Sequence, residues 1–104
     1  RMLKSFKGDL YAFDPETNKV YRWGGGTSWT AVLTMAGDPA FRAVWSGDML
    51  YHVERASELL KRTPDGDNWE TAADLSAMSS PSQIGIGDGA IFIADDSGNV
   101  RALR

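Results

Sequence analysis

Laid on itself without gaps at an offset of 40 residues, this chain matches itself at clustered positions. Leu10 and Tyr11 fall on Leu50 and Tyr51, Arg22 on Arg62, and Gly26 and Trp29 on Gly66 and Trp69. One period later Gly47 and Asp48 fall on Gly87 and Asp88. Val20, Leu60 and Val100 align across all three copies, as do the bulky positions Phe13, Val53 and Ile93. Identities gathered at one offset mark a repeat architecture. The repeats run 1–37, 38–80 and 81–104, the last incomplete, within a single unit spanning 1–104.

Each repeat reads as short strands parted by turn chemistry. The first gives "LKSFKG", "LYAFDP", "NKVYRW" and "TAVLTM"; the second gives "FRAVWSG", "MLYHVE", "ELLKRT" and "ETAADLSA". The third gives "QIGIGDG", "AIFIAD" and "NVRAL". Clusters such as Pro64-Asp65-Gly66-Asp67-Asn68 supply the turns. The one helix candidate, Glu54 to Arg62, is interrupted by Ser57, and its counterparts are the turn-rich stretches 14–18 and 95–99. The second strand of each repeat is apolar on both faces, as in Leu10/Tyr11/Phe13, Leu50/Tyr51/Val53 and Ile91/Phe92/Ile93. Simple alternation would leave one wet face, so these strands are expected to be covered on both sides. Four short antiparallel strands per repeat of about 40 residues is the blade of a β-propeller. The expected fold is therefore all-β, with about 2.6 blades per chain; a β-sandwich with internal similarity is the competing architecture.

Composition narrows the function classes. The chain has 104 residues, 24% of them charged, with a net charge of −3, and this argues against nucleic-acid and anionic-membrane surfaces, which need clustered Lys and Arg. No cysteine is present, so thiolate metal sites, disulfides and Cys nucleophiles are absent. A lone histidine, His52, and no G-x-S-x-G motif make a nucleophile–base pair hard to assemble. The counterparts of His52 are Ala12 and Phe92, which points to a structural role. The acidic clusters "DGDN" and "DDSGN" read as Asx turns, since position 12 counted from Asp65 is Ser76 rather than the Glu of a Ca²⁺ loop. No enzyme activity, no cofactor and no metal are expected.

The stretch "WETAADLSAMSSPSQIGIGDGAIFIADDSGNVRAL" (69–103) resembles tectonin-type propeller repeats, with their Trp-led strand, Q-I-x-I-G and G-N-V-x-x-L. "LYAFDPETNKVYRW" is similar to kelch-type blades, and "VYRWGGGTSWT" looks like the Trp-Gly-rich-Trp segment of short fucose-binding propeller lectins. Those lectins are chains of about two blades that assemble into rings, binding sugar with a strand Arg, a following Glu and tryptophans. Here Tyr11 and Tyr51 occupy the strand position of that Arg, and no Glu precedes Trp23 or Thr63. The resemblance implies a binding module, many of whose relatives are lectins. A small glycan is the expected ligand; a structural or protein–protein interaction propeller, or a piece of a larger propeller protein, is the alternative.

Candidate ligand-binding residues are Trp23, Trp29, Trp69, Arg22, Arg62 and Trp45. Aromatic faces with a few directional polar groups suit a shallow recognition site. Trp29 and Trp69 have a second reading, as plugs between neighbouring blades. Trp23 and Trp45 have no Trp counterpart, which favours ligand contact. Gly24-Gly25-Gly26 runs into a strand rather than a helix, so it serves turn geometry and not phosphate. Fewer than four blades cannot close a ring. A single chain is expected to leave end faces built from residues such as Tyr11, Phe13, Ile91 and Ile93 in water, and hence to form a homo-oligomer. Arg101 and Arg104 would guard the last strand edge.

Overall fold

Eleven strands and no helix account for the regular structure of the described residues. The computed structural model describes residues 2–36 and 39–103, residues 39–42 by their backbone alone. The strands are β1 (Met2–Phe6), β2 (Asp9–Asp14), β3 (Lys19–Trp23), β4 (Trp29–Thr34), β5 (Pro39–Ser46), β6 (Leu50–Glu54), β7 (Leu59–Thr63), β8 (Glu70–Asp74), β9 (Pro81–Gly87), β10 (Ala90–Asp95) and β11 (Val100–Leu103). They form three antiparallel sheets in which chain neighbours pair: β1–β4, β5–β8 and β9–β11. The first strands of successive sheets touch, β1 against β5 and β5 against β9.

Turn chemistry sets the hairpins. Lys7-Gly8 and Asp88-Gly89 close two-residue loops with both central residues at positive φ (49° and 84°; 52° and 72°), the mirror-image turn that matches strand twist. The stretch 55–58 is a turn leading into β7. Asp95 accepts hydrogen bonds from the backbone N–H of Ser97 (3.0 Å) and Asn99 (2.8 Å), and Asp65 from those of Asp67 (2.9 Å) and Asn68 (2.8 Å). Both carboxyls are held below their usual pKa, Asp65 chiefly by the Asn68 backbone and Asp95 chiefly by the Ser79 N–H from the linker after β8. Glu54 has the matching role at the preceding sheet, where it accepts the Ala36 N–H at 3.1 Å. Glu54 and Asp95, both buried, thus tie each incoming linker to the sheet that follows.

Two apolar cores lie between consecutive sheets. One gathers Phe6, Tyr11, Phe13 and Val20 of the first sheet against Val44 and Leu50 of the second. The other gathers Tyr51, Val53 and Leu60 of the second sheet against Ile93 of the third. Side chains alternate across a strand, so each sheet has a leading face, turned toward the next sheet, and a trailing face, turned toward the previous one. Tyr11, Phe13, Tyr51 and Val53 lead; Leu50, His52 and Ile93 trail. β6 is buried along its whole length, as its two apolar faces require.

The third sheet departs from the ungapped alignment. Phe13 pairs with Val20 and Val53 with Leu60, but Ile93 pairs with Arg101, and Val100 pairs with Ala94. One added residue in the repeat therefore gives Ile93 the opposite facing to Phe13, because a single-residue slip turns every side chain to the other face. Ile93 is the counterpart of His52 and Ala12, and Ala94 is the counterpart of Phe13. The end faces differ accordingly from those expected. Tyr11, Phe13 and Ile93 are buried within the single chain, whereas Leu3, Trp23, Trp29 and Val100 are exposed, Val100 at 67%. Arg101 donates to the Asp74 carbonyl oxygen at 2.9 Å. Arg104 lies outside the described residues.

At the first junction the His52 ring stands between Phe13 (centroids 5.4 Å apart) and Trp69 (5.3 Å, edge-on). Among the described residues, neither of its nitrogens has a hydrogen-bond partner. Burial, reinforced by the positive charge of Lys61, pushes its pKa down to about 4. The unfolded chain takes up a proton near pH 6.5 that the folded chain refuses until about pH 4. The His52 contribution to stability therefore falls by on the order of 3 kcal/mol as pH drops through that window, and changes no further below it. The expected result for His52→Phe, which keeps a ring in the stack, is a denaturation midpoint that no longer falls across this window. Trp69 and Trp29 separate in the same assay: Trp69→Ala, at a partly buried ring packed against the first core, is expected to cost about 3 kcal/mol. Trp29→Ala, at a side chain 39% exposed, is expected to lower the midpoint far less.

Candidate functional site

The six candidate residues do not converge on one place. Trp23 pairs with Trp29, and Arg22 with Thr30, so both tryptophans lie on the trailing face of the first sheet and Arg22 on its leading face. Trp69 is partly buried against the first core, and its indole N–H donates to the Gly66 carbonyl at 3.1 Å. The Trp23 indole donates likewise to the Gly26 carbonyl at 2.9 Å, bracing the glycine turn that feeds β4. Arg62 pairs across the strands with Tyr51, on the leading face of the second sheet, and Trp45 is Tyr51's partner on the other side. Two of the six, Trp45 and Arg62, are thus on one face with a tyrosine between them.

That face borders a cleft of about 570 Å³ between the second and third sheets, lined by Trp45, Asp48, Met49, Tyr51, Arg62 and Ile91 among others. The β5–β6 turn brings Asp48 and Met49, β6 and β7 bring Tyr51 and Arg62, and β10 supplies an apolar wall. The Arg62 Nε–H donates to Glu70 at 2.7 Å, which fixes the guanidinium across the strand pair. Its pKa is raised, chiefly by Glu70, with the Tyr51 hydroxyl adding to the effect. A guanidinium held on one side keeps further N–H donors for a ligand. The cleft therefore combines an aromatic wall, a fixed cationic donor and a carboxylate acceptor at Asp48.

The first junction shows what normally fills such a space. Tyr11 and Arg22 stand there as Tyr51 and Arg62 stand in the second sheet. The β7–β8 turn is pressed onto them: Arg22 Nη1 donates to Asp67 at 2.6 Å and Lys7 Nζ to the Pro64 carbonyl at 2.7 Å. Gly66 sits so close to the Tyr11 hydroxyl that any Cβ would overlap it, which is why a glycine is needed there. At the second junction the third sheet is described as three strands, with no corresponding turn over Tyr51 and Arg62 among the described residues. The cleft occupies that place.

Tyr51, Asp48 and Met49 line the cleft without having been singled out by their sequence chemistry. A signal for Tyr51 was present, since the Tyr–Arg spacing of 11/22 repeats at 51/62. Its meaning depended on which strands pair. A polar groove of about 360 Å³ around Arg55, Glu58, Ser82 and Asp96 carries no aromatic surface, and Asp96 accepts there from the Ser82 hydroxyl at 2.9 Å. Among the described residues no three His, Asp or Glu side chains gather as metal ligands do. Compared with protein-family models, characterised proteins and solved structures, the chain has no match.

Proposed function

We propose that the chain is a propeller-type, non-catalytic binding module whose ligand is a small glycan, held in the cleft between the second and third sheets. Three features support the blade arrangement: each complete sheet is a four-stranded meander, first strands neighbour one another in chain order, and leading faces pack on trailing faces at both junctions. The observation that carries the ligand class is the placement of Trp45, Tyr51 and Arg62 around one open cleft. A sugar ring offers C–H faces to an indole and hydroxyls to a guanidinium and a carboxylate, and this cleft offers all three. Arg22 and Trp69, two of the three other repeated candidates, are already engaged within the fold. A closed ring needs at least about four blades, so the proposed module is one part of such a ring.

The test is a glycan array probed with the wild type, Arg62→Gln and Trp45→Leu, with thermal melting run on each. Bound glycans are expected for the wild type. Arg62→Gln is expected to weaken binding roughly tenfold, the worth of one directional hydrogen bond. Its melting temperature should hardly change, since Arg62 is partly exposed and paired only at the surface. A wild type that binds no glycan, or an Arg62→Gln variant that binds as well as the wild type, overturns the cleft.

A further inference from the structure

We infer that Asp88, at the tip of the β9–β10 hairpin, is a site of spontaneous covalent modification, where its side chain condenses with the Gly89 amide and reopens as isoaspartate. The chain has two Asp-Gly steps, Asp65-Gly66 and Asp88-Gly89. Such a step carries the chemistry within itself. The glycine nitrogen attacks the carbon of the protonated side-chain carboxyl, a C–N bond forms, and the amide proton leaves with the carboxyl hydroxyl as water. The five-membered succinimide then takes water back at one of its carbonyls. Opening at the main-chain carbonyl leaves that carbon as a free carboxylate, and the chain runs on through the former side chain, one methylene longer. Glycine permits the attack because it has no Cβ to screen its nitrogen.

The fold treats the two steps oppositely. Asp65 accepts hydrogen bonds from the Asn68 N–H (2.8 Å), the Asn68 side chain (2.6 Å) and the Asp67 N–H (2.9 Å). These bonds, the Asn68 backbone first, hold it ionised well below the usual carboxylate range, so its reactive protonated form is scarce. Its nucleophile is also held: the buried Gly66 donates its N–H to Thr63 Oγ1 at 2.9 Å and lies against the Tyr11 ring. Asp88 and Gly89 are exposed, and a Cβ placed on Gly87 or Gly89 would meet nothing within 4 Å. Among the described residues neither the Asp88 side chain nor the Gly89 N–H makes a hydrogen bond. The repeated Gly47-Asp48 is followed by Met49, whose side chain screens its own nitrogen, so only the third repeat sets this aspartate before a glycine. The added methylene falls inside a two-residue loop whose closure depends on φ values of 52° and 72°, and it loosens the Gly87–Ala90 pair. Gly89 and Ala90 border the cleft between the second and third sheets. That the ligand site thereby changes with the age of the protein rests on the function proposed above; the modification itself does not.

The test incubates the purified chain near neutral pH, above the window in which His52 protonation destabilises the fold, and in parallel in denaturing urea. Isoaspartate is counted with an isoaspartyl-specific carboxyl methyltransferase and assigned in chymotryptic peptides, which part the two sites at Trp69. In the folded chain Asp88 is expected to convert at least roughly tenfold faster than Asp65, the effect of first breaking two hydrogen bonds of ordinary strength. In urea the two steps are expected to convert at similar rates. Asp88→Glu, which cannot close the five-membered ring, is expected to yield no isomer at this position. Glu58 already holds a φ of 53° in this chain, so the turn accommodates the change. Amide exchange at Gly87 and Ala90 is expected to quicken in the aged wild type and not in the aged variant. Similar folded-chain rates at Asp65 and Asp88, or an Asp88 rate at least roughly tenfold slower folded than in urea, overturn the proposal. No glycan enters these measurements, so their failure and failure of the cleft are read independently.

Discussion

The middle strand of each sheet is the constraint on which the architecture depends. β6 is buried from Leu50 to Glu54 on both faces, and a strand with two apolar faces cannot stand at the surface of a two-layer structure. It demands a sheet on either side. The first and third sheets meet that demand through Phe13 and Ile93. Stacking is thus written into residue alternation before any particular contact is considered.

The same alternation explains what was legible in the sequence. All eleven strands were readable because short apolar runs are separated by Gly, Pro, Asn and Asp, each marking a turn by local chemistry. The facing of the third repeat was not readable. An ungapped offset of 40 set Ile93 beside Phe13 and Val53, yet one additional residue reverses its face. Turn length is a matter of one residue, and apolar composition hardly changes across it: Ile91, Phe92 and Ile93 suit either face.

The candidate site was legible only at some of its residues. Arg62 and Trp45 were picked out for their chemistry, and they share a cleft because strand pairing sets both beside Tyr51. Trp29 and Trp69 illustrate the opposite case. They are identical residues at equivalent positions, yet Trp69 is covered by a neighbouring sheet and Trp29 is not. Their difference comes from what lies across the junction, which no local window contains. Arg22 and Arg62 diverge for the same reason, the first engaged by the acidic turn of the next sheet and the second by Glu70 of its own.

Contacts between consecutive sheets also fix how resistance to unfolding is distributed. The second sheet is held from two sides, the first and third from one, so opening free energy is graded along the chain and lowest at its two ends. Any molecule that covers an end face binds only the closed form of that sheet and stabilises it by mass action. Covering an end face and ordering the sheet behind it would in such a chain be a single equilibrium.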